Sequence, residues 1–239
     1  MNLFAPPRHF DPDQPEFIDR PSTDPVLVRE EVQILEVANA RFGEDQLMLQ
    51  RVKGLLGLRK VPSLEILDLA TGGADIPRVI VEWARQHQVP VTVTAVDNNP
   101  EVLRVARESC RDWPEIRIEQ HDLLELPFPP NSFDLVLCSL ALHHFTIADV
   151  IGILRRMQET ARVGYIVSDL RRNRLAIWTA ELLVRRMVKS PIIRNDAVQS
   201  CRAAFTVSEL RTMAEQAGLR NFSIHRCQLF FRMILEGTK

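Results

Sequence analysis

The 239-residue sequence has no run of 18 consecutive apolar residues, so no membrane span is expected. Its N-terminus sets Pro6, Pro7 and several acids where a secretion signal needs an apolar core, which points to the cytoplasm. Cysteine is scarce: Cys110, Cys138, Cys201 and Cys227 show neither a C-x-x-C pair nor zinc-ligand spacing. They read as buried or incidental thiols of a reducing compartment, and no metal centre is expected. Net charge is nearly absent at −1, so the overall balance gives no reason to expect a polyanionic partner. There are no internal repeats and no low-complexity segments.

What is present centres on Leu64-Glu65-Ile66-Leu67-Asp68-Leu69-Ala70-Thr71-Gly72-Gly73-Ala74-Asp75-Ile76-Pro77. Ile66, Leu67 and Leu69 suit a strand buried on both faces. Thr71 to Ala74 have little side chain, so backbone N–H groups can approach a ligand closely. Ile76, Val79, Ile80, Trp83 and Ala84 then repeat at helical spacing. That helix would aim unpaired amides and a partial positive charge at the turn. No glycine stands three residues after Gly72, as a dinucleotide fingerprint requires, and no Gly-Lys-Ser/Thr follows, as a phosphate loop requires.

Before this unit lies a Pro- and Asp-rich arm over residues 1–24, with Phe4, Phe10 and Phe17 suited to pack over the domain. Ser22-Thr23-Asp24-Pro25 starts a helix running to about Ala40, and a second helix runs from about Glu44 to Leu55. After it, β-branched Val91–Val96 ends in Asp97, and Asn99-Pro100 caps a helix ending near Arg111. Ile116–Gln120, Phe133–Ser139 and Val163–Asp169 read as strands, with a helix from about Ile147 to Thr160. Such alternation argues a parallel sheet with right-handed crossovers. Residues 170–204 form a helical insertion, with Trp178, Leu182, Leu183 and Met187 on an amphipathic helix from Leu175 to Val188. Thr206 and Glu209 sit at capping-box spacing, Gly218 ends that helix, and Asn221–Cys227 and Leu229–Leu235 read as an antiparallel pair.

The turn resembles the D/E-x-G-x-G-x-G motif of class I S-adenosylmethionine-dependent methyltransferases, with Asp68, Ala70, Gly72 and Ala74 in the acid and glycine places. Two of the three glycines are alanine here, which adds a methyl group at each. The His143-His144-Phe145 ending after the fourth strand is similar to quinone- and polyketide-type members. The implied fold is α/β: a Rossmann-like, seven-stranded, mostly parallel sheet, helices on both faces and an antiparallel terminal strand. On that plan residues 1–60 are an N-terminal arm and cap helices, and residues 61–239 are the methyltransferase domain.

Strand tips carry the candidate chemistry, because open α/β sheets bind ligands outside the carboxyl ends of their strands. Asp68, Asp97, Asp122 and Asp169 at one edge need partners other than one another. A ligand with a sulfonium, an ammonium and hydroxyls supplies them. Asp97 stands 23 residues after Ala74, close to the spacing at which an acid accepts ribose hydroxyls. The resemblance implies that Asp122 and Leu123 hold the adenine, and Asn98, next to Asp97, is a further cofactor-binding candidate. It places Asp68, the backbone of Ala70, Thr71, Gly72 and Gly73, and the carbonyls of Ser139 and Leu140 at the amino-acid end. His143 and His144 are candidate bases for an acceptor whose proton comes off near pH 10, as a phenol's does.

The expected reaction is O-methylation of a hydrophobic or aromatic small molecule with S-adenosylmethionine. A non-catalytic cofactor-binding protein, a nicotinamide oxidoreductase and an RNA methyltransferase remain alternatives. Nucleic acid is disfavoured by the absence of an Asn/Asp-Pro-Pro-Tyr/Phe motif after the fourth strand. Residues 1–36 hold eight acids against three arginines, and Arg155–Arg194 hold ten Lys/Arg against three acids. This reads as a solvated face or an acidic arm beside a basic one, with docking of an acidic substrate or carrier protein as the sharper possibility.

Overall fold

The computed structural model describes residues 5–20, 23–57, 63–187, 190–227 and 231–239. Phe4, Ser22, Val188 and Leu229, which the sequence reading used, lie outside them. Strands β1 (Leu64–Leu69), β2 (Val91–Asp97), β3 (Ile116–Gln120), β4 (Phe133–Ser139), β5 (Ala161–Leu170), β6 (Phe222–Cys227) and β7 (Arg232–Thr238) form one sheet. Their order is β3-β2-β1-β4-β5-β7-β6. The first five pair in parallel, and β7 runs antiparallel between β5 and β6. The seven-stranded, mostly parallel sheet expected from the sequence is therefore present. Strand order reverses between β1 and β4, and that switch opens a crevice at their carboxyl ends.

Alternation along each strand feeds two cores. Leu67, Leu69, Val136, Cys138 and Val167 face α5 (Ile147–Thr160) and α8 (Val207–Gln216). Leu64, Ile66, Leu135, Leu137 and Ile166 face α2 (Glu44–Leu56) and α3 (Asp75–Gln86). Met48 and Val52 of α2 are fully buried in the second core. Two further helices complete this side: α1 (Pro25–Phe42) meets α4 (Pro100–Ser109) through Val28, Val32, Val102 and Val105. Asp24, Asn99, Thr146 and Thr206 cap their helices, the last two in complete capping boxes.

Three details differ from the sequence reading. The insertion holds two helices, α6 (Arg174–Met187) and α7 (Pro191–Ala203), where periodicity marked one. Proline at the first position of α7 starts it afresh. The last strand, Arg232–Thr238, runs three residues past the end read at Leu235, pairing with β5 as far as Thr238; the start read at Leu229 lies outside the described residues. Finally, β5 starts at Ala161, directly after α5 ends at Thr160.

The N-terminal arm is tied down by arginines. Arg8 donates to the carbonyls of Ala203, His143 and Phe145 at 2.6, 3.1 and 2.9 Å. Arg172, almost wholly buried, donates to Pro6 O, Ala204 O and the Glu209 carboxylate. The arm thereby lies across the carboxyl edge of the sheet, beside the turn that follows β4.

Candidate active site

After β1 the chain bends sharply. Thr71 N donates to Val96 O at 2.9 Å, and Ala74 N to Thr71 O at 3.0 Å. Ala70, Gly72 and Ala74 have φ of 53°, 56° and 59°, so all three glycine places of the motif adopt left-handed backbone. Alanine holds this conformation at a cost on the order of 1 kcal/mol per site. The bend thus keeps its glycine-type shape although two glycines are replaced. Around Gly72 the space where a Cβ would stand is empty to 4 Å, while at Gly73 it would meet Val32 Cγ1 at 2.9 Å. One glycine leaves room for a ligand, and the next makes room for α1.

The acids converge on this bend. Asp68 is buried at the tip of β1 and accepts from Thr71 Oγ1 at 2.6 Å. Burial pushes its carboxyl up to about 7, against the Thr71 bond and with Asp75 and Asp97 adding to the rise. Asp97, at the tip of β2, accepts from Gly72 N at 3.2 Å and Asn99 N at 3.1 Å. Its carboxyl is also raised, chiefly by burial. Asn98 is exposed beside it, and its carbonyl accepts from Gln120 Nε2. Asp122 is exposed after β3 and accepts from Leu124 N at 2.9 Å, while Leu123 is buried in the core. Buried carboxylates held above their ordinary values, beside backbone with open space, make a place that favours a cation.

At the tip of β4, Ser139 Oγ donates to Glu44 at 2.7 Å, and Leu140 N donates to Ser168 O at 2.8 Å. Glu44, fully buried at the start of α2, also accepts from Arg232. A one-turn 3₁₀ segment, Leu142–His144, follows. Asp169 at the tip of β5 binds His143 twice, through His143 N at 3.1 Å and Nδ1 at 2.7 Å. Both residues are buried, and the Nδ1 contact turns the ring's Nε2 away from Asp169. The neighbouring His144 ring, 4.3 Å away and tilted by 35°, has a different fate. Its Nδ1 lies 2.8 Å from Asp19 and its Nε2 4.0 Å from Glu16, both from the arm. Burial works against its charge, but Glu16, Asp19 and Asp169 outweigh this and lift it to about 9.

With this geometry in hand, residues 66–164 match a family model described as a methyltransferase domain. This part of the chain is similar to methyltransferase domains. The ubiquinone/menaquinone biosynthesis C-methyltransferase UbiE of Rickettsia bellii is 32% identical over 111 residues, 44% of this chain and 43% of that protein. The chain's match thus spans less than half the length of the curated relatives. Human N-acetylserotonin methyltransferase, solved with its S-adenosylmethionine, superposes with a TM-score of 0.64 at 17% identity, covering 90% of this chain and 56% of that one. A putative O-methyltransferase of Nostoc punctiforme gives 0.62 at 20% identity, covering 87% and 60%. At such identities the structures speak for the fold.

The fold brings Asp68, Ala70, Thr71, Gly72, Gly73, Asp97 and Asn98 around one bend, and His143 and His144 onto the next strand tip. Asp122 and Leu123 lie after β3, on the far side of Asp97, whose carbonyl accepts from His121 N. Sequence reasoning missed Glu16, Asp19, Glu31 and Asp196, which crowd the arm side of His144. Glu31 is pushed up to about 8 by burial and by Asp196, Glu16 and Asp19. Nothing periodic marks these acids; only the acid excess of the first 36 residues hinted at them. Among the described residues, Glu16, His143 and His144 form the group spaced to hold a metal. At neutral pH the His144 ring is charged, its Nδ1 on Asp19 and its Nε2 turned toward Glu16. No helix of the described residues is long and apolar enough to cross a membrane.

Proposed function

We propose that the chain is an S-adenosylmethionine-dependent methyltransferase that O-methylates a hydrophobic phenol- or enol-type small molecule. The observation that carries this is the buried His143–Asp169 pair at the strand tip adjoining the acid-lined bend. S-adenosylmethionine would supply a methyl group on a sulfonium, which already has a good leaving group. Asp68 and the backbone of Ala70, Thr71, Gly72 and Gly73 would hold its amino-acid end, with the carbonyls of Ser139 and Leu140. Asp97 and Asn98 would take the ribose, and Asp122 and Leu123 the adenine.

His143 fits the base better than His144. With Nδ1–H donated to Asp169, its Nε2 would be the nitrogen that accepts a proton, and Asp169 would stabilise the imidazolium that forms. His144 is already protonated at neutral pH and instead anchors the arm. The arm, held by Arg8 and Arg172, would exclude water from the acceptor, and α7 would wall its far side. Deprotonation of a phenol makes both its oxygen and its ring carbon nucleophilic. The C-methyltransferase name of the UbiE relatives favours carbon as a second reading, decided by how the acceptor lies rather than by a different base.

The test is release of S-adenosylhomocysteine with a panel of hydrophobic phenols. His143→Gln and Asp169→Asn should each lower turnover by about 10²-fold while cofactor affinity stays near wild type. Unchanged turnover in both variants would remove the base assignment. Cofactor binding without turnover on any acceptor would favour a non-catalytic binding protein.

A further inference from the structure

Four of the nine large apolar side chains exposed among the described residues lie on α6: Leu175, Trp178, Leu182 and Leu183. Trp178 is 60% exposed, Leu175 53% and Leu182 52%. Their i, i+3, i+7 spacing puts these three on one helix face, with Leu183 beside them. The inward side of α6 meets α7 and little else, so the apolar stripe faces away from the domain. Exposed Arg174 and Arg186 stand in the same outward sector. Among the described residues neither lies within ion-pairing distance of a carboxylate. Glu181, the only acid from Arg171 to Arg194 against seven Lys/Arg, is paired with Arg202 at 2.8 Å. The acidic arm does not neutralise this helix; its Glu16 and Asp19 are directed at His144.

A helix with a tryptophan and leucines on one face and arginines interleaved matches the chemistry of an anionic bilayer surface. Leucines and tryptophan enter the boundary between headgroups and acyl chains, and the guanidinium groups meet lipid phosphates. A second copy of the chain fits less well, because a self-complementary contact through this face would bring the arginines of both copies together. We infer that α6 is a membrane-surface helix that seats the protein on anionic lipid. In turn α7, the helix beneath it, packs against the turn carrying His143 and His144. Seating α6 on lipid would therefore bring the cleft close to the bilayer, where a hydrophobic acceptor concentrates. The inference itself does not depend on methyl transfer, and its test reads only binding.

The experiment is co-flotation of the full chain with vesicles of phosphatidylcholine plus phosphatidylglycerol, against phosphatidylcholine alone. The expected result is flotation with the anionic vesicles that weakens with added salt, plus a blue shift of tryptophan fluorescence that is lost in Trp178→Phe. Arg174→Glu with Arg186→Glu, and separately Trp178→Ala with Leu182→Ala, should each weaken binding at least tenfold. Unchanged melting would show that both doubles remain folded. No flotation, flotation indifferent to both double variants, or a dimer abolished by Trp178→Ala with Leu182→Ala would each overturn the inference.

Discussion

Asp68 offers the sharpest test of the electrostatics, through Asp68→Asn. In the folded protein this buried carboxyl titrates near 7, against an ordinary value of 3.8, because burial disfavours its charge. A carboxyl raised by folding leaves stability intact below its unfolded value and removes it as pH rises through the folded value. At about 1.4 kcal/mol per pH unit, the loss between pH 4 and pH 7 has an upper value of about 4 kcal/mol. Asparagine keeps the size and can still accept from Thr71, but carries no charge. At pH 8 the empty variant should therefore be more stable than wild type by about 2–4 kcal/mol, at roughly 2–4 °C of Tm per kcal/mol. At pH 4 the two should melt together. The variant should also gain less from S-adenosylmethionine, having lost the acid that would face its ammonium group. Thermal melts across pH, with and without cofactor, read both effects. If Asp68→Asn were less stable than wild type at pH 8, the carboxylate would already be compensated without a ligand, and the reasoning would fail.

Two further outcomes follow from the packing around the site. Gly73→Ala should cost about 1–3 kcal/mol in denaturant unfolding, because the new methyl meets Val32 Cγ1. Adding Val32→Ala should recover most of that, and no recovery would mean that the close approach of α1 is not the cause. His144, raised to about 9, contributes stability that is complete below its unfolded value near 6.5 and is lost as pH rises through 9. Proteolysis of the arm should therefore accelerate between pH 7 and 10 in wild type but not in His144→Gln; an arm equally protected across that range would contradict the role given to His144.

Much of the fold was legible because β1, β2 and β4 are apolar or β-branched runs with an acid or serine at the tip, and periods of two and 3.6 separate cleanly there. Caps at Asp24, Asn99 and Thr206 marked helix starts, because their side chains satisfy amides that nothing else reaches. The break between α6 and α7 was not legible, since the apolar pattern runs on past Met187. Among site residues, the bend and Asp97 could be read because chemistry and local backbone coincide in one short segment. The pairing of Asp169 with His143 spans 26 residues, and the approach of Glu16 and Asp19 to His144 spans more than 120. Such long-range contacts depend on how the arm folds back, which no local period encodes.

Everything rests on the acids at successive strand tips gathering around a sulfonium nucleoside. Calorimetric titration of the full chain with S-adenosylmethionine, S-adenosylhomocysteine and NADH tests this most directly. Both adenosyl compounds should bind and NADH should not. Asp97→Asn should weaken both by roughly 10- to 100-fold, as expected for losing hydrogen bonds to a charged acceptor. Binding of NADH alone, or adenosyl affinities untouched by Asp97→Asn, would contradict the account.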